Sequence, residues 1–422
     1  MRSVLLYADF RSPHALNWAR SVHSAGWSVT GVSSKRLEIS SQELLKTVPL
    51  DKIYIPSDPA SMIRHAFRPS NLSLDQTSRL TMPLISPNNH GTSVRTRSAD
   101  WIDRASVPFQ VRQLRLAIRD TRPDVVHALR IPYEGIIASR AARESPLILS
   151  SWGQDFVVQA KGDAWIGSRS RTALTEAEGL TADCRRDAAI AKRLGYTGLD
   201  PLIVPGNGGV DTQIFRRSAR SAHGERLRNS LGIDSDRVVI TNPRGLRSFV
   251  RTNEFLRAVA ILVPSHRELL AFAVNASPDI RLLHLVGELG IEDNVRIGDR
   301  LTQMELADLL SISDIVCSPS TSDGTPNSLL EAMVMGCYVV AGDIDSVREW
   351  IKPGVNGELV DPTDPASIAH GLERALRVVA NDTSHINSQL HDRVSRTTVG
   401  KLIVAYYEHI LTYYPSGGNA SP

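Results

Sequence analysis

Short runs of apolar and β-branched residues alternate along the chain with longer segments in which apolar residues recur at helical spacing. This alternation is typical of βα units, in which helices cover both faces of a parallel sheet. Strands are predicted at residues 3–7, 28–33, 52–55, 125–127, 147–150, 179–182, 202–205, 238–241, 269–274, 295–297, 315–317 and 338–341. Helices are predicted near residues 14–24, 110–119, 136–143, 253–263, 277–290, 303–311, 328–335 and 365–377. The pattern indicates two doubly wound α/β units in series.

A glycine-rich segment at residues 205–217 separates the two series of units. We therefore predict a first Rossmann-like domain at residues 1–213 and a second at residues 214–394. The periodic segment at residues 395–414 follows the second domain, and its apolar face predicts a helix that packs back on the first domain. Residues 415–422 are predicted to form a disordered tail, and residues 56–104 show no pattern that assigns them to an element.

Composition limits the class of protein. The chain has 422 residues, more than one hydrophobic core usually serves, and its 42% hydrophobic and 22% charged content is ordinary for a soluble globule. No apolar run is as long as a membrane span, and the opening segment is too short for a signal-peptide core. The cysteines, Cys184, Cys317 and Cys337, resemble neither a disulfide framework nor a metal cluster. We therefore expect a cytoplasmic protein.

The most informative segment runs from Ser318 to Met333, which leaves a predicted strand, turns through Gly324 and Pro326 and enters a helix. The free N–H groups at a helix N-terminus favour anionic or hydroxylated ligands. Asp323 and Glu331 are placed so that two carboxylates flank one pocket and accept hydrogen bonds from vicinal hydroxyls. The alternative is that Asp323 and Ser328 cap the helix and that Glu331 is a solvated acid of its first turn.

This segment resembles the family 4 glycosyltransferases, whose signature is Glu-x7-Glu around a Gly-Phe-Pro-Asn-like turn; here it reads Asp323-x7-Glu331. The similarity extends through residues 336–365 and over residues 205–215. It implies two Rossmann-like domains that face a cleft, the GT-B fold, with Glu331 on the nucleotide ribose. It also implies that the first acid and the following turn hold the donor sugar. The residues so assigned are Asp323, Thr325, Pro326, Asn327, Ser328 and Leu329.

The family also places an arginine and a lysine on the loop after the first strand of the second domain, where they stabilise the leaving diphosphate. In this chain Arg244 matches the arginine, and the lysine is absent. Arg247 and Arg251 are the candidate substitutes, and Arg251 is preferred because it lies nearer the start of the following helix. The resemblance thus implies catalytic roles for Arg244, Arg251, Asp323 and Glu331.

Candidate acceptor groups follow three predicted strands of the first domain, because ligands of open α/β sheets bind at the carboxyl ends of the strands. These groups are Ser12 and His14 after the first strand and Trp152 and Asp155 after a later one. His127 ends a strand between them and matches the first histidine of the family's Pro-Asp-x-x-His-x-His pattern, so the resemblance gives it a catalytic contact. Leu129 stands in place of the second histidine.

Net charge is +3, and the basic excess lies in the first half of the chain. Arg112, Arg115, Arg119 and Arg122 share one face of a predicted helix. A solvated face is the default interpretation, and docking to anionic lipid headgroups at the cytoplasmic side of a membrane is the alternative. Nothing in the chain indicates a nucleic-acid partner. Asp343 and Asp345 imitate a metal-binding Asp-x-Asp, but helix capping accounts for Asp345, and no metal or other cofactor is expected.

The sequence therefore predicts an enzyme: a retaining hexosyltransferase that uses a nucleoside-diphosphate sugar. A glycan, lipid-linked or small-molecule acceptor is expected, and polysaccharide biosynthesis is the commonest setting for such chains. Two alternatives stay open, a non-catalytic protein that binds a sugar nucleotide or glycan and an inverting or epimerase-like enzyme on the same fold. The sequence does not specify the sugar, the base, the acceptor or the oligomeric state.

Overall fold

The computed structural model describes residues 1–35, 48–55, 94–153, 155–156, 163–216, 222–276, 279–380 and 389–415, together with Leu37, Leu45, Ile386 and Asn387. Within them the chain forms two parallel sheets, one of seven strands and one of six. Helices cover both faces of each sheet, and each has its own buried apolar clusters. The predicted fold class, two Rossmann-like domains, is confirmed.

The first sheet has the strand order β3-β2-β1-β4-β5-β6-β7. Its strands are β1 (Ser3–Ala8), β2 (Ser28–Ser33), β3 (Lys52–Tyr54), β4 (Val125–Ala128), β5 (Leu147–Ser151), β6 (Gly179–Ala182) and β7 (Leu202–Ile203). Its helices are α1 (Pro13–Ser24), α2 (Val94–Thr121), α3 (Ile136–Ala141), α4 (Ala164–Thr175) and α5 (Arg185–Arg193). The chain order reverses beside β1 and β4, so the loops after these strands open a crevice.

The second sheet has the order β10-β9-β8-β11-β12-β13. Its strands are β8 (Val238–Asn242), β9 (Leu269–Ala273), β10 (Val295–Ile297), β11 (Ile315–Ser318), β12 (Tyr338–Gly342) and β13 (Gly357–Val360). The helices are α6 (Ala222–Ser230), α7 (Thr252–Leu262), α8 (Ile280–Leu289), α9 (Gln303–Ile312), α10 (Asn327–Met335), α11 (Asp345–Arg348) and α12 (Pro365–Val379). Two further helices, α13 (Leu390–Val394) and α14 (Arg396–Tyr413), end the chain.

Each predicted strand is present, with ends that differ by at most two residues. The sequence missed β13, α4, α5 and the short helix α13, and it predicted only the C-terminal part of α2, because polar and charged residues break the apolar pattern there. The prediction of a disordered tail falls almost wholly on residues 416–422, outside the described part of the chain, as does most of the unassigned segment at residues 56–104. In the described part, no helix is long and apolar enough to cross a membrane.

The helix α14 returns to the first domain, as predicted, and packs against α1. Its apolar face is buried there, with Ile403 and Ile410 in the same cluster as Trp18. The Trp18 indole N–H donates a hydrogen bond of 3.1 Å to the Tyr407 hydroxyl. The C-terminal end of the chain therefore completes the core of the first domain.

The chain passes between the domains at two segments that lie side by side. The N–H of Val210 donates to the carbonyl of Val394 at 2.8 Å, and the N–H of Arg396 donates to the carbonyl of Val210 at 2.8 Å. An ion pair of 2.6 Å between Arg396 and Asp211 reinforces the crossing. The two segments that connect the domains are therefore bonded to each other.

Gly209 is required at this crossing. Its φ is +89°, and a Cβ there would lie 2.8 Å from Cα of Arg396 and 3.0 Å from the carbonyl oxygen of Val394. We expect Gly209→Ala to lower the free energy of unfolding by more than the roughly 1–3 kcal/mol of a strained φ alone. Urea unfolding measures this loss. Gly232→Ala is the matched control, since Gly232 has φ +64° and open space around it; equal losses in the two variants would contradict the steric argument.

Candidate functional site

The loop between β11 and α10, residues 319–326, lies where the two domains meet. The side-chain amide of Asn327 at its end lies 3.3 Å from Nδ1 of His14, which follows β1. The hydroxyl of Thr325 donates to the main-chain carbonyl of Asp183, which follows β6. The carboxyl ends of both sheets therefore contribute to one cleft.

An ion pair between Arg244 and Asp323 lies in this cleft, on the side of the second domain. It joins Nη2 of Arg244 on the β8–α7 loop to Oδ2 of Asp323, and each side chain is only 13–14% exposed. Strands β8 and β11 are neighbours in the sheet, which is why the two loops meet. The pair places a guanidinium and a carboxylate in a largely desolvated position, where electrostatic interactions are strong.

Glu331 lies in α10 with 8% of its surface exposed. Burial raises the pKa of this carboxyl to about 7, against the opposing effect of the positive charge of Arg244. Within the described ranges no hydrogen bond to its carboxylate contributes to this pKa. Of the two interpretations of Glu331, the solvated first-turn acid is therefore wrong. A buried acceptor of this kind suits the hydroxyls of a ligand.

Several other buried polar atoms around the loop lack a hydrogen-bond partner in the part of the chain that the structure describes. They are Nδ2 of Asn242, Nε of Arg244, Oδ1 of Asn327, Oγ of Ser318, Ser320 and Ser328, and Nε1 of Trp152. Native proteins leave few such groups unsatisfied, and those that remain concentrate where a ligand or water binds. The cleft is therefore built to receive a ligand with many hydrogen-bonding groups.

Of the predicted acceptor residues, His14 and Trp152 come together at this cleft. Their rings meet edge to face with centroids 5.7 Å apart. Burial, together with the positive charges of Arg244, Arg247 and Arg130, lowers the pKa of His14 to about 4. His14 is thus a neutral imidazole at physiological pH. Ser12 is used differently, because its hydroxyl caps α1 by accepting the N–H of His14 at 3.3 Å.

Asp155 does not face the cleft. It is completely buried and forms an ion pair of 2.7 Å with Arg130. Its other oxygen accepts the main-chain N–H of Trp152 at 3.1 Å. The prediction that Asp155 contacts the acceptor is therefore corrected: it anchors the loop that carries Trp152. The sequence analysis did not predict a role for Arg130, although this residue lies just after β4, at the end of the sheet where ligands bind.

His127 is likewise enclosed within the first domain. It has no exposed surface, and its Nδ1 and Nε2 lie 2.7 Å from the Tyr407 hydroxyl and 2.8 Å from the Ser150 hydroxyl. Burial lowers its pKa to about 3. Both ring nitrogens are occupied by the protein, so the catalytic role predicted for His127 is corrected to a structural one, the attachment of α14.

Two of the residues assigned to the donor are also occupied. The Thr325 hydroxyl donates to Asp183 and accepts the Trp350 indole N–H at 3.1 Å. Leu329 is completely buried in an apolar cluster. Neither side chain presents a free group to a ligand, so a donor contact at Thr325 or Leu329 would be made by the main chain, and both assignments stay predictions. Pro326, Asn327 and Ser328 remain at the start of α10, whose first turn has no side-chain cap.

The two candidate substitutes for the family lysine occupy different environments. Arg247 lies beside the ion pair, since the positive charge of Arg244 contributes, after burial, to lowering its pKa, and Asp323 opposes this effect. Arg251 begins α7 with φ +59° and pairs with Glu254 at 3.2 Å. This arrangement favours Arg247 as the second cation of the cleft, in place of the predicted Arg251.

If this cleft has the catalytic role that the resemblance implies, Arg247→Met lowers kcat more than Arg251→Met does. The reason is that a cation near Arg244 acts on the same developing charge, and each such contact contributes roughly tenfold or more. Steady-state kinetics on the two variants measures the difference, and thermal unfolding shows whether both are folded. A larger loss of kcat in Arg251→Met would restore the choice made from the sequence.

Two family models match the chain, one in each domain. The family model described as glycosyl transferases group 1 matches residues 224–383, and the model described as glycosyl transferase 4-like matches residues 81–183. These matches confirm the resemblance to the family 4 glycosyltransferases that the sequence indicated. The residues of the cleft, Arg244, Asp323 and Glu331, lie inside the first of these matches.

Curated relatives share part of the chain. The D-inositol 3-phosphate glycosyltransferase of Thermobispora bispora is 31% identical over 180 residues, which are 40% of this chain and 41% of that protein. The protein of the same name from Frankia alni is 29% identical over 282 residues, 60% of this chain and 66% of that protein. The chain thus aligns with less than two thirds of the length of either relative.

Solved structures share the whole architecture. HepE of Anabaena, in complex with UDP, has a TM-score of 0.68 at 16% identity, with 97% of this chain and 100% of that chain covered. Sucrose-phosphate synthase from Thermosynechococcus elongatus has a TM-score of 0.70 at 14% identity, with 98% and 100% covered. At these identities the likeness shows the GT-B fold.

Proposed function

We propose that this protein transfers a hexose-type sugar from a nucleoside-diphosphate sugar to an acceptor, with retention of anomeric configuration. The observation that carries the proposal is the cluster of Arg244, Asp323 and Glu331 at the start of α10, across a narrow cleft from His14 and Trp152. The cluster combines a cation for phosphate with two carboxylates for hydroxyls. Both family models that match the chain describe glycosyl transferases, and the solved structure of HepE contains UDP.

Different residues of the cluster bind different parts of the donor. Glu331 accepts the ribose hydroxyls, since it is a buried carboxylate whose pKa reflects no hydrogen bond from the described chain. Arg244, with Arg247 beside it, stabilises the charge that develops on the diphosphate as the bond to the sugar breaks. Asp323, Asn327 and Ser328 lie on the side of the sugar, where Asp323 is one methylene shorter than the family glutamate.

His14 and Trp152 form the acceptor side. A neutral imidazole beside three arginines does not add to the positive charge of the cleft, and it offers a hydrogen bond to a sugar or acceptor hydroxyl. Trp152 provides an apolar face with a buried indole N–H, a combination that suits a sugar ring. The part of this chain in the reaction is therefore to position two substrates and to stabilise the leaving group. A glycan, lipid-linked or small-molecule acceptor fits this side, and the curated relatives are named for inositol phosphate.

The test is release of nucleoside diphosphate from a panel of sugar nucleotides, with and without candidate acceptors. Acceptor-dependent release together with a glycosylated product is the expected result. Tight binding of a donor without release under any condition would favour a binding protein instead. NMR of the product gives its anomeric configuration, and inversion, or epimerisation of the free sugar nucleotide, would contradict the retaining mechanism.

We also propose that no divalent metal takes part. Both carboxylates of the Asp-x-Asp sequence bind Arg348, at 2.6 Å for Asp343 and 3.3 Å for Asp345, which ties them to α11. We expect turnover to be unchanged by EDTA, measured with the same assay. Loss of turnover that returns on addition of Mg²⁺ or Mn²⁺ would show the proposal to be wrong.

The arginines in α2 and directly after it do not enter the proposal. Arg112, Arg115, Arg119 and Arg122 are exposed, as predicted. Arg115 donates to the carbonyl of Arg140 at 2.6 Å. Asp120, from the same stretch of helix, binds Lys52. These contacts fit a solvated face, and we propose no membrane contact for it.

A further inference from the structure

The turn from β6 into α5, residues 183–187, holds the β11–α10 loop from the opposite domain. Its central side chain is Arg186, which is 16% exposed. Nη1 of Arg186 donates to the main-chain carbonyl of Asp323 at 2.8 Å, and Nη2 donates to the carbonyl of Gly153 at 3.2 Å. Its Nε donates to Asp187 at 2.8 Å, which fixes the plane of the guanidinium. One side chain thus connects the loop of Trp152 with the loop of Asp323.

The surrounding contacts show that this junction is closely fitted. A Cβ on Gly324 would lie 1.8 Å from Oδ2 of Asp183, so only glycine permits the two loops to approach this far. The same Oδ2 accepts the N–H of Gly153 at 2.9 Å. Asp183 is 2% exposed, and its Oδ1 has no hydrogen-bond partner in the described part of the chain.

The carbonyl of Asp323 receives a second hydrogen bond, of 2.8 Å, from the hydroxyl of Ser346 in its own domain. Its two donors therefore come from the two domains. If the domains separated, the carbonyl of Asp323 would keep only the hydrogen bond from Ser346, because Arg186 would be withdrawn. The direction of the Asp323 carboxylate, and with it the ion pair to Arg244, follows from how this main chain is held.

We propose that Arg186 is a positioning residue that couples closure of the two domains to the placement of the Asp323 carboxylate in the cleft. This inference rests on the proposed function, in which Asp323 lies beside the donor sugar. Glu331 and Arg244 both belong to the second domain, so binding of the nucleotide part does not require the junction. Sugar transfer does require it, because the acceptor side is supplied by the first domain.

The test compares Arg186→Met with Arg185→Met. Arg185 is the neighbouring arginine, and its side chain is exposed. Its main-chain N–H donates a hydrogen bond of 2.8 Å across the junction to the carboxylate of Glu349, and this bond does not depend on the side chain of Arg185. The two variants change net charge equally. We expect Arg186→Met to lower kcat by about tenfold to hundredfold, the value of one or two hydrogen bonds to a charged donor, and Arg185→Met to leave it unchanged. The affinity for nucleoside diphosphate, from calorimetry, stays at the wild-type value in both.

Arg186→Lys tests whether a conservative substitution restores kcat. A lysine keeps the charge but lacks the planar fork that reaches two carbonyls and a carboxylate together, so it restores only part of kcat. Circular dichroism and thermal unfolding show whether the variants are folded. If Arg186→Met does not fold, Arg186→Lys is compared with Arg185→Met instead. Wild-type kcat in either Arg186 variant, or parallel losses of kcat, nucleotide affinity and thermal stability, would overturn the inference.

Small-angle scattering separates this inference from the proposed function. With saturating nucleoside diphosphate we expect a larger radius of gyration for Arg186→Met than for wild type and for Arg185→Met. Equal radii would overturn the coupling even if the wild-type protein transfers sugar. If instead wild type transfers no sugar from any donor, the proposed function fails while the scattering result still decides whether Arg186 governs closure.

Discussion

Replacing Arg244 with methionine is expected to lower kcat by about 10²–10³-fold, the effect of removing one preorganised charge from a transition state. The negative charge on the leaving diphosphate increases as the bond to the sugar breaks. The guanidinium therefore binds the transition state more tightly than the bound donor, and kcat falls more than the KM for the donor rises. Steady-state kinetics with varied donor separates the two constants.

The loss of Arg244 also leaves Asp323 as a largely buried carboxylate without its ion pair, which is destabilising. The double variant Arg244→Met, Asp323→Asn removes that charge and separates the effect on stability from the effect on catalysis. Arg257→Met is a matched control, since Arg257 is exposed on α7. An Arg244→Met protein with wild-type kcat would remove Arg244 from the mechanism.

Replacing Glu331 with glutamine is expected to have two opposite effects. The affinity for nucleoside diphosphate falls by about tenfold to hundredfold, because two charge-assisted hydrogen bonds to ribose are weakened. The ligand-free protein, in contrast, becomes more stable at pH 8. The pKa of Glu331 in the fold is about 7, above its usual value of 4.5, because burial disfavours the charged form.

The stability effect has a defined pH range. A carboxyl whose pKa is raised on folding binds its proton more tightly in the folded state, so the free energy of unfolding declines as pH rises from 4.5 towards 7. Above pH 7 the loss is complete and is on the order of 3 kcal/mol. Glutamine removes this loss. Thermal unfolding without ligand should therefore give a higher Tm for Glu331→Gln than for wild type at pH 8 and little difference at pH 4.5.

Binding shows the complementary dependence. In wild type the affinity for nucleoside diphosphate should weaken as pH falls through about 7, since Glu331 is then protonated. Glu331→Gln should lack this step. Titration of the nucleotide phosphate affects both proteins equally, so the ratio of their nucleotide affinities at each pH reports Glu331 alone. Glu288→Gln, on the exposed face of α8, is the control. Unchanged nucleotide affinity in a folded Glu331→Gln protein would contradict ribose recognition.

Local sequence was sufficient for the parts of the fold that local interactions decide. Strands such as Ser28–Ser33, Gly179–Ala182 and Val295–Ile297 were predicted at their observed bounds, because each is a short run with β-branched residues between segments of turn or helical character. The short strand Gly357–Val360 was missed, since a glycine and a glutamate interrupt that signal. The long helix Val94–Thr121 was predicted only in part, because charged residues and Pro108 interrupt its periodicity.

The donor side of the cleft was also accessible from sequence, because it is nearly continuous in the chain. Asp323 and Glu331 are separated by one turn and the start of one helix, so their common position follows from local structure. Arg244 came from the resemblance to the family. Its contact with Asp323, however, depends on the pairing of β8 with β11, which the linear order of residues does not state.

Only the tertiary structure decided which polar side chains of the first domain are available to a ligand. His127 lies near the end of β4 and Asp155 follows β5, both at the correct end of the sheet, yet Tyr407 binds His127 and Arg130 binds Asp155. Tyr407 comes from a helix that returns after the whole second domain, and no local pattern predicts which buried group it meets. The junction of Arg186 with Asp323 joins residues 137 positions apart in different domains. A sequence determines which segments are apolar, and hence the elements and their order, whereas the partner of a polar group depends on which surfaces meet when the domains pack.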